Sequence, residues 1–421
     1  MMKRALAGIF AATLGGLAMT ATADAAPAQY QANTVIVRYA DGATAPQRSV
    51  AGRLAGVVQS LAAIHGVGAE LVRVSGDPAS AAARLNRSDA VLYAEPNYIA
   101  RATGIPDDAR FGEQYALDNT GQAGGTADAD IDAPEGWTAL FGATAFPAAG
   151  GAKIGILDTG VASGHLDLAG KVVNCAGVRS FGIDILGIIT LPLLANATID
   201  AGRCADDNGH GTHVAGIAAA IADNGIGVAG VAADSPLAIC KALDGKGAGG
   251  VAGIANCINY LAANGAKVIS MSLGTTADSV TLHNAIVAAS RTALVVAAAG
   301  NGGNATPNYP AFYPEVVSVA ATDNRDARAA FSTFNGDVEV AAPGVDILST
   351  WNDGGYNVIS GTSMATPHAA GVAAVIAGRY PTRTPSFWRG KLDGAVDDVA
   401  APGRDAQTGF GRVNLQQAAT E

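Results

Sequence analysis

Positive charge is scarce in this 421-residue chain. Lysine and arginine number 26 against 36 acidic residues, a formal net charge of −10, so the basic footprint of a nucleic-acid partner is missing. Charged residues of both signs make up only 15% of the chain, which argues against a disordered protein. Cysteine is limited to Cys175, Cys204, Cys240 and Cys257. No C-x-x-C occurs, which excludes a zinc ribbon or a thioredoxin-type motif. There is no H-E-x-x-H and no second D-T-G or D-S-G, so zincin chemistry and an aspartic-protease dyad are set aside. The apolar runs inside the chain are broken by Gly, Asn and Asp, and no internal membrane span is expected.

What the chain has in abundance is small and apolar: 49% hydrophobic residues and 54 glycines, the composition of a large, tightly turned core. Its first residues differ from the rest. Lys3 and Arg4 precede an apolar run from Ala5 to Met19, and Ala23 and Ala25 have the spacing of a signal-peptidase site. Residues 1–25 are therefore expected to be a leader, which makes the protein secreted: extracellular, or in the periplasm or cell envelope, with no membrane attachment once the leader is gone. Export permits disulfides. Four cysteines allow three connectivities. The local pairs Cys175–Cys204 and Cys240–Cys257 are the expected ones, with buried free thiols as the alternative, above all for Cys240 in "LAICKAL".

Residues 26–104 read as a small α+β unit. "NTVIVRYA", "AELVRV" and "AVLYAEPNYIA" are strand-like; "PQRSVAGRLAGVVQSLAAI" has apolar residues at helical spacing; "DPASAAARLNRS" is a short helix with Asp77 as its cap and Pro78 in its first turn. A β-α-β-α-β order follows, an open sheet with helices on one face. Dense Pro, Gly and Asp between Arg101 and Gly136 mark a boundary, and the second domain is assigned to residues 105–421. From Lys153 onward, near-continuous apolar strands alternate with helices, the pattern of a mainly parallel sheet covered on both faces. In such α/β folds the chemistry sits at the carboxyl ends of the strands.

Three polar residues lie at such ends or at helix starts without an apolar rationale: Asp158 in "GILDTG", His210 in "DNGHGTHVAG" and Ser363 in "SGTSMA". An acid, an imidazole and a hydroxyl make a nucleophilic triad if they meet in space. Each has a plainer reading. Ser363 serves equally as a helix cap, and His210 with His213 suggests zinc ligands, although only Asp206 and Asp207 lie nearby as further donors. The G-x-S-x-G elbow of an α/β-hydrolase is absent around Ser363.

Taken together, "ILDTGV", "NGHGTHVAG", "AAAGN" and "GTSMATPHAAG" resemble, in order, the four signatures of the subtilases, the subtilisin-like serine peptidases. The resemblance covers nearly the whole chain. It implies a three-layer subtilisin-like fold preceded by a ferredoxin-like propeptide domain that acts as an intramolecular inhibitor and folding chaperone. Asp158 is then the orienting acid, His210 the general base and acid, Ser363 the nucleophile, and Asn301 the side-chain donor to the oxyanion; without the resemblance, Asn301 is a turn residue. The likeness further implies an endopeptidase that needs no cofactor for catalysis and acts on protein or peptide substrates; a monomer is expected, and the loop after the propeptide-like unit places self-processing between Tyr98 and Ile105.

Substrate contacts follow from the same resemblance. Gly247, Ala248 and Gly249 on one side, and Ser272, Leu273 and Gly274 on the other, flank an extended peptide. Ala298, Ala299 and Gly300 line the pocket for the residue before the cut, and Val251, Ile254 and Leu273 an apolar pocket further along; the plain reading of Val251 and Ile254 is the core face of a helix. Small, uncharged walls imply broad, apolar-preferring specificity. A structural calcium is implied at Asp167, Asn224 and Asp108, against the alternative of a solvated loop. The apolar insertion between Asp158 and His210, with Phe181 to Leu194 at its centre, exceeds what a minimal member needs. Two other functions compete: a catalytically silent subtilase-fold binding or chaperone protein, which would lack one of the four residues, and a processing protease with an acidic cleft, for which Asp244 is the one nearby candidate.

Overall fold

The computed structural model describes residues 30–64, 66–98, 105–141, 151–179, 183–185, 189–191 and 198–420. The expected leader, most of the expected self-processing segment and the centre of the insertion lie outside these residues. The chain divides into two compact units, residues 1–101 and 102–421.

In the first unit, β1 (Tyr30–Tyr39), α1 (Ala45–Ala55), β2 (Val57–Ile64), β3 (Ala69–Val74), α2 (Pro78–Leu85) and β4 (Val91–Tyr98) form an antiparallel sheet of order β2-β3-β1-β4. Both helices pack their alanines and Leu85 on one face of it, against Val35, Val37, Val72 and Val74. This is the ferredoxin-like β-α-β-β-α-β arrangement. It corrects the expected β-α-β-α-β order, because the long helix predicted from "PQRSVAGRLAGVVQSLAAI" stops at Ala55. Gly56 takes φ 80°, and its N–H bonds back to the Gly52 and Arg53 carbonyls, a left-handed cap that a residue with Cβ adopts only under strain. Val57 to Ile64 then turn back as an edge strand on β3. Asp77 caps α2 as expected, accepting from Ser80 N–H at 2.8 Å.

The second unit continues with α3 (Ala133–Phe141), β5 (Ile154–Asp158), β6 (Val172–Val178), β7 (Ile183–Ile185), β8 (Ile189–Leu191), β9 (Ile199–Ala201), α4 (His210–Ala219), β10 (Leu237–Lys241), α5 (Val251–Ala263), β11 (Val268–Met271), α6 (Val280–Ala289), β12 (Leu294–Ala298), β13 (Val316–Thr322), β14 (Val340–Pro343), β15 (Ile347–Thr350), β16 (Tyr356–Ile359), α7 (Thr362–Arg379), α8 (Pro385–Gly394), β17 (Val396–Asp397), β18 (Arg412–Val413) and α9 (Leu415–Thr420). The main sheet has the order β17-β18-β14-β13-β12-β11-β5-β10-β6-β9, parallel except at β17–β18 and β6–β9. Its central strands β5, β11, β12 and β13 are buried along their whole length. That is why they read as unbroken apolar runs and not as alternating ones. One core lies between the sheet and α4 and α7, the other between the sheet and α5 and α6. The three layers are those expected.

Both expected disulfides are present. Cys175–Cys204 ties β6 to the segment leading into α4, and Cys240–Cys257 ties β10 to α5. Closing loops of this size removes about 3 to 4 kcal/mol of loop entropy from the unfolded chain. Of the insertion, β7 and β8 pair as an antiparallel hairpin. Among the described residues no helix is long and apolar enough to cross a membrane.

Candidate active site

Asp158 is the last residue of β5 and fully buried. Its Oδ1 accepts from Thr159 N–H and from His210 Nδ1, both at 2.7 Å. Since Nδ1 carries the proton of that bond, His210 Nε2 is left with its lone pair outward, the tautomer a general base needs. The ring is still about a quarter exposed. Burial opposes its charged form, but the charge and hydrogen bond of Asp158, then the charge of Asp206, outweigh it and raise the imidazole above its ordinary value.

His210 opens α4. The residue before it, Gly209, has φ 111°, and a Cβ there would overlap the Trp351 ring. His213, one turn on, is buried, with Nε2 3.0 and 3.1 Å from the Ile347 and Asn357 carbonyls. Burial pushes it down to about 4. It is a neutral packing residue joining α4 to the β15–β16 hairpin, and among the described residues no group of three or more His, Cys, Asp or Glu side chains suits a metal.

Ser363 stands in the first turn of α7, partly accessible. Pro367, inside the same helix, has no N–H to give to the carbonyl four residues back, which is that of Ser363. Ser272 fills the gap: its hydroxyl donates to Ser363 C=O at 2.8 Å, and Ser363 Oγ lies 3.3 Å from Ser272 C=O. Ser272 follows β11, the neighbour of β5, where Ser270 is paired with Ile156. Adjacent strand ends therefore carry Asp158 and the residue that grips Ser363.

Asn301, just beyond β12, is exposed. Its Oδ1 accepts from both N–H and Oγ1 of Thr362 at 2.9 Å, so Nδ2 is turned the other way. A methyl carbon on Gly361 would sit 3.5 Å from Asn301 Nδ2 and 3.6 Å from Ser363 N. Asn301 Nδ2 and Ser363 N thus lie near one small region beside the serine, the two donor types that an oxyanion needs.

Around these groups, Gly247, Ala248 and Gly249 are exposed, and Ala248 uses its own N–H and C=O on Asp244, at 3.0 and 2.8 Å. Leu273 and Val251 are half-buried at the margin of the core, Gly274 is exposed, and Ile254 is buried within the core. Ala298 and Ala299 are buried and Gly300 half-buried. A residue that sequence reasoning missed sits among them. Asn308 donates to Ala298 C=O at 3.1 Å, and a Cβ on Gly274 would overlap its amide. It comes from the "TPNYP" turn, which carries no signal of its own.

Asp108, Asp167 and Asn224 also meet. Asp167 is fully buried. Its Oδ1 accepts from Asn224 Nδ2 at 3.0 Å, and its Oδ2 from Val228 N–H at 2.9 Å and Tyr356 OH at 3.0 Å. Asp108 Oδ2 accepts from Asp223 N–H at 2.6 Å, while its buried Oδ1 has no partner among the described residues. Burial, with Asp167 as a nearby like charge, pushes Asp108 up to about 6. The partnerless buried Asp108 oxygen and the Asp167 carboxylate are hard donors of the kind calcium takes, and Asn224 joins them once its amide, whose oxygen here accepts from Ile226 N–H at 2.9 Å, turns round.

Comparison with known proteins agrees with this architecture. Residues 149–411 match the model of the subtilase family, and residues 17–97 that of the fervidolysin N-terminal prodomain. Thermitase of Thermoactinomyces vulgaris is 42% identical over 289 residues, covering 68% of this chain and 93% of that protein. A thermophilic serine proteinase of Bacillus sp. (strain AK1) is 38% identical over 338 residues, 80% of this chain and 74% of its own. Among solved structures, a protease from Pseudoalteromonas arctica matches with TM-score 0.62 at 30% identity over 75% of this chain and 98% of its own. Sphericase matches with TM-score 0.57 at 34% identity, covering 67% and 97%. The chain belongs to the subtilase family: it is a subtilisin-like serine protease carrying an N-terminal prodomain.

Proposed function

We propose that the protein is a secreted serine endopeptidase in which Asp158, His210 and Ser363 form the triad and Asn301 the side-chain half of the oxyanion hole. The observation that carries this reading is the 2.7 Å bond from His210 Nδ1 to buried Asp158, which leaves Nε2 as the base. In the reaction, Ser363 Oγ–H gives its proton to His210 Nε2 as Oγ bonds to the scissile carbonyl carbon. The carbonyl π pair moves onto oxygen, between Ser363 N–H and Asn301 Nδ2. The tetrahedral centre collapses, the C–N bond breaks, and His210 passes the proton to the leaving amine. Water, deprotonated by the same imidazole, then releases the acyl group from Ser363.

Substrate lies extended between residues 247–249 and 272–274, its residue before the cut against Ala298, Ala299, Gly300 and Asn308. Val251 and Leu273 offer apolar surface further along, while the burial of Ile254 leaves it a supporting role behind them. These walls carry no charge, so specificity is broad and apolar-preferring. Residues 1–25 are a leader and residues 26–104 an inhibitory prodomain removed by self-cleavage, leaving residues 105–421 as a monomeric peptidase. Calcium held by Asp108, Asp167 and Asn224 ties the start of the mature chain to the loop after α4; it supplies stability and takes no part in the chemistry.

The test is expression of wild type beside Ser363→Ala, with intact mass and casein hydrolysis on both. Wild type is expected to start between residues 98 and 105 and to digest casein, and Ser363→Ala to persist as a longer inert precursor. Equal masses and equal activities would leave Ser363 a helix cap and sink the mechanism.

A further inference from the structure

Four residues before His210, Asp206 makes more contacts than a helix cap requires. Its Oδ1 accepts from Asn208 N–H and Gly209 N–H, both at 3.0 Å, and from Thr159 Oγ1 at 2.8 Å. Its Oδ2 accepts from Thr212 N–H at 2.9 Å and Thr212 Oγ1 at 2.6 Å. Bonds to Gly209 and Thr212 fix the first turn of α4, as a cap would. The bond to Thr159 does something else, because Thr159 belongs to β5's end and directly follows Asp158. Thr159 N–H is itself bonded to Asp158 Oδ1, and Thr159 Oγ1 accepts from Gly211 N–H at 2.9 Å. One carboxylate therefore holds the residue after Asp158 and, directly at Gly209 and through Thr159 at Gly211, the residues on both sides of His210.

The segment that carries Asp206 is anchored independently. Cys204 is disulfide-bonded to Cys175, its carbonyl accepts from Val161 N–H at 2.8 Å, and Ala205 bridges to Val161. The charge on Asp206 is also available. Among the described residues no cation pairs with it; Lys241 Nζ, the nearby ammonium on β10, is bonded to Asp207 at 2.6 Å and to Thr159 C=O. The titratable groups that act on His210 are thus Asp158 from β5 and Asp206, with His213 one turn on in α4, while Asp207 and Lys241 pair with each other. Burial works against an ionised Asp206, but the donors at Gly209, Thr212 and Asn208 outweigh it and hold the carboxyl below its ordinary value.

We propose that Asp206 is a positioning residue for the peptidase reaction: its carboxylate locks Asp158 and His210 into one hydrogen-bonded unit, and its uncompensated negative charge supports the imidazolium formed when His210 takes the Ser363 proton. This inference rests on the triad reading above. It does not touch substrate, so its loss acts on the chemical step and on the protonation of His210 and leaves binding alone.

The experiment compares the matured wild type with Asp206→Asn, using a peptide p-nitroanilide with an apolar residue before the cleaved bond, and reads kcat, KM and the pH profile of kcat/KM. Asparagine keeps the size but loses the charge and one acceptor. Expected are a fall in kcat of about 10- to 100-fold, KM within about twofold, and an acid limb moved to lower pH, since removing a negative charge disfavours the imidazolium. A folded, matured Asp206→Asn with lowered Tm but wild-type kcat and an unmoved acid limb overturns the proposal, because Asp206 is then only a cap. If Asp206→Asn does not mature, Thr159→Val and Thr159→Ser decide. Valine deletes the hydroxyl that Asp206 grips and is expected to lower kcat about tenfold, while serine restores it; a valine variant equal to wild type overturns the proposal. Ser363→Ala run alongside separates the two levels. If it is as active as wild type, the triad reading itself has failed.

Discussion

Asn301 turns its carbonyl oxygen onto Thr362, accepting from both the backbone N–H and the hydroxyl at 2.9 Å. Two donors on one side of an amide fix which end is which, so Nδ2 is presented, already oriented, beside Ser363 N–H. An oriented donor favours the developing oxyanion over the neutral carbonyl. Replacing Asn301 by Leu should lower kcat by about 100- to 1,000-fold, the cost seen when a subtilisin loses such a donor, and leave KM within about twofold. Steady-state kinetics on a peptide anilide measure both. A large rise in KM at constant kcat would assign Asn301 to substrate binding.

His210 donates to Asp158, and the charge of that neighbour outweighs the burial of the ring. The reaction needs neutral imidazole, protonation removes it, and the raised value means that removal begins at higher pH than for an ordinary histidine. The acid limb of kcat/KM should therefore have an apparent pKa above 6.5. A pH–rate profile of the matured enzyme gives it, and a limb below 6.5 would mean that burial of the imidazolium wins over the Asp158 carboxylate.

Asn308 closes the space between Gly274, Ala298 and Gly300. Replacing it by Gly removes the amide and deepens the pocket proposed for the residue before the cut. The ratio of kcat/KM for phenylalanine over alanine at that position should rise about 10-fold. An unchanged ratio across a peptide anilide series would mean that the side chain enters elsewhere.

These groups differ in how far the amino-acid sequence alone reveals them. Asp158, His210 and Ser363 were legible because each is a polar residue interrupting an apolar strand or opening a small-residue helix. The central strands were legible because burial on both faces leaves no polar positions in them. β2 was not: six of its eight residues are exposed, so it has neither an apolar run nor an alternating face, and its apolar residues continue the spacing of the helix before Gly56. Asn308, and the part of Asp206 beyond that of a nearby donor, were missed for another reason. Their roles arise where distant segments meet, at Gly274 and Ala298 for one and at Thr159 for the other, and no local pattern records such a meeting.

Asp167 and Asp108 put two carboxylates close together with Asn224, and one Asp108 oxygen is buried without a partner. A bound divalent cation would remove that penalty. Chelation with EGTA should lower the apparent Tm by about 5 °C, and excess calcium should restore it. Asp167→Ala should abolish the calcium-dependent part of the shift. A Tm indifferent to chelator and to added calcium would reduce the cluster to a hydrogen-bonded loop.

Asp132, at the start of α3, lies in a cluster with Asp130, Asp326 and Asp397 around the single guanidinium of Arg412. Arg412 bonds to Asp326 at 2.6 Å and Asp397 at 2.7 Å, while among the described residues the Asp132 carboxyl is bonded to the Asn414 amide alone. Burial first, then the charges of Asp130 and Asp397, push Asp132 up to about 8. The folded protein therefore binds a proton there that the unfolded chain, titrating near 3.8, has lost. Stability drawn from this group falls as pH rises from about 4 to about 8 and is flat beyond. Asp132→Asn keeps the acceptor for Asn414 and needs no proton. Its gain over wild type should be absent near pH 4, grow through neutrality and level off above pH 8. Thermal or denaturant unfolding of the Ser363→Ala background across that range tests it without self-digestion. A variant that loses stability at every pH would mean that the charged carboxylate, held by Arg412, is the form the fold prefers.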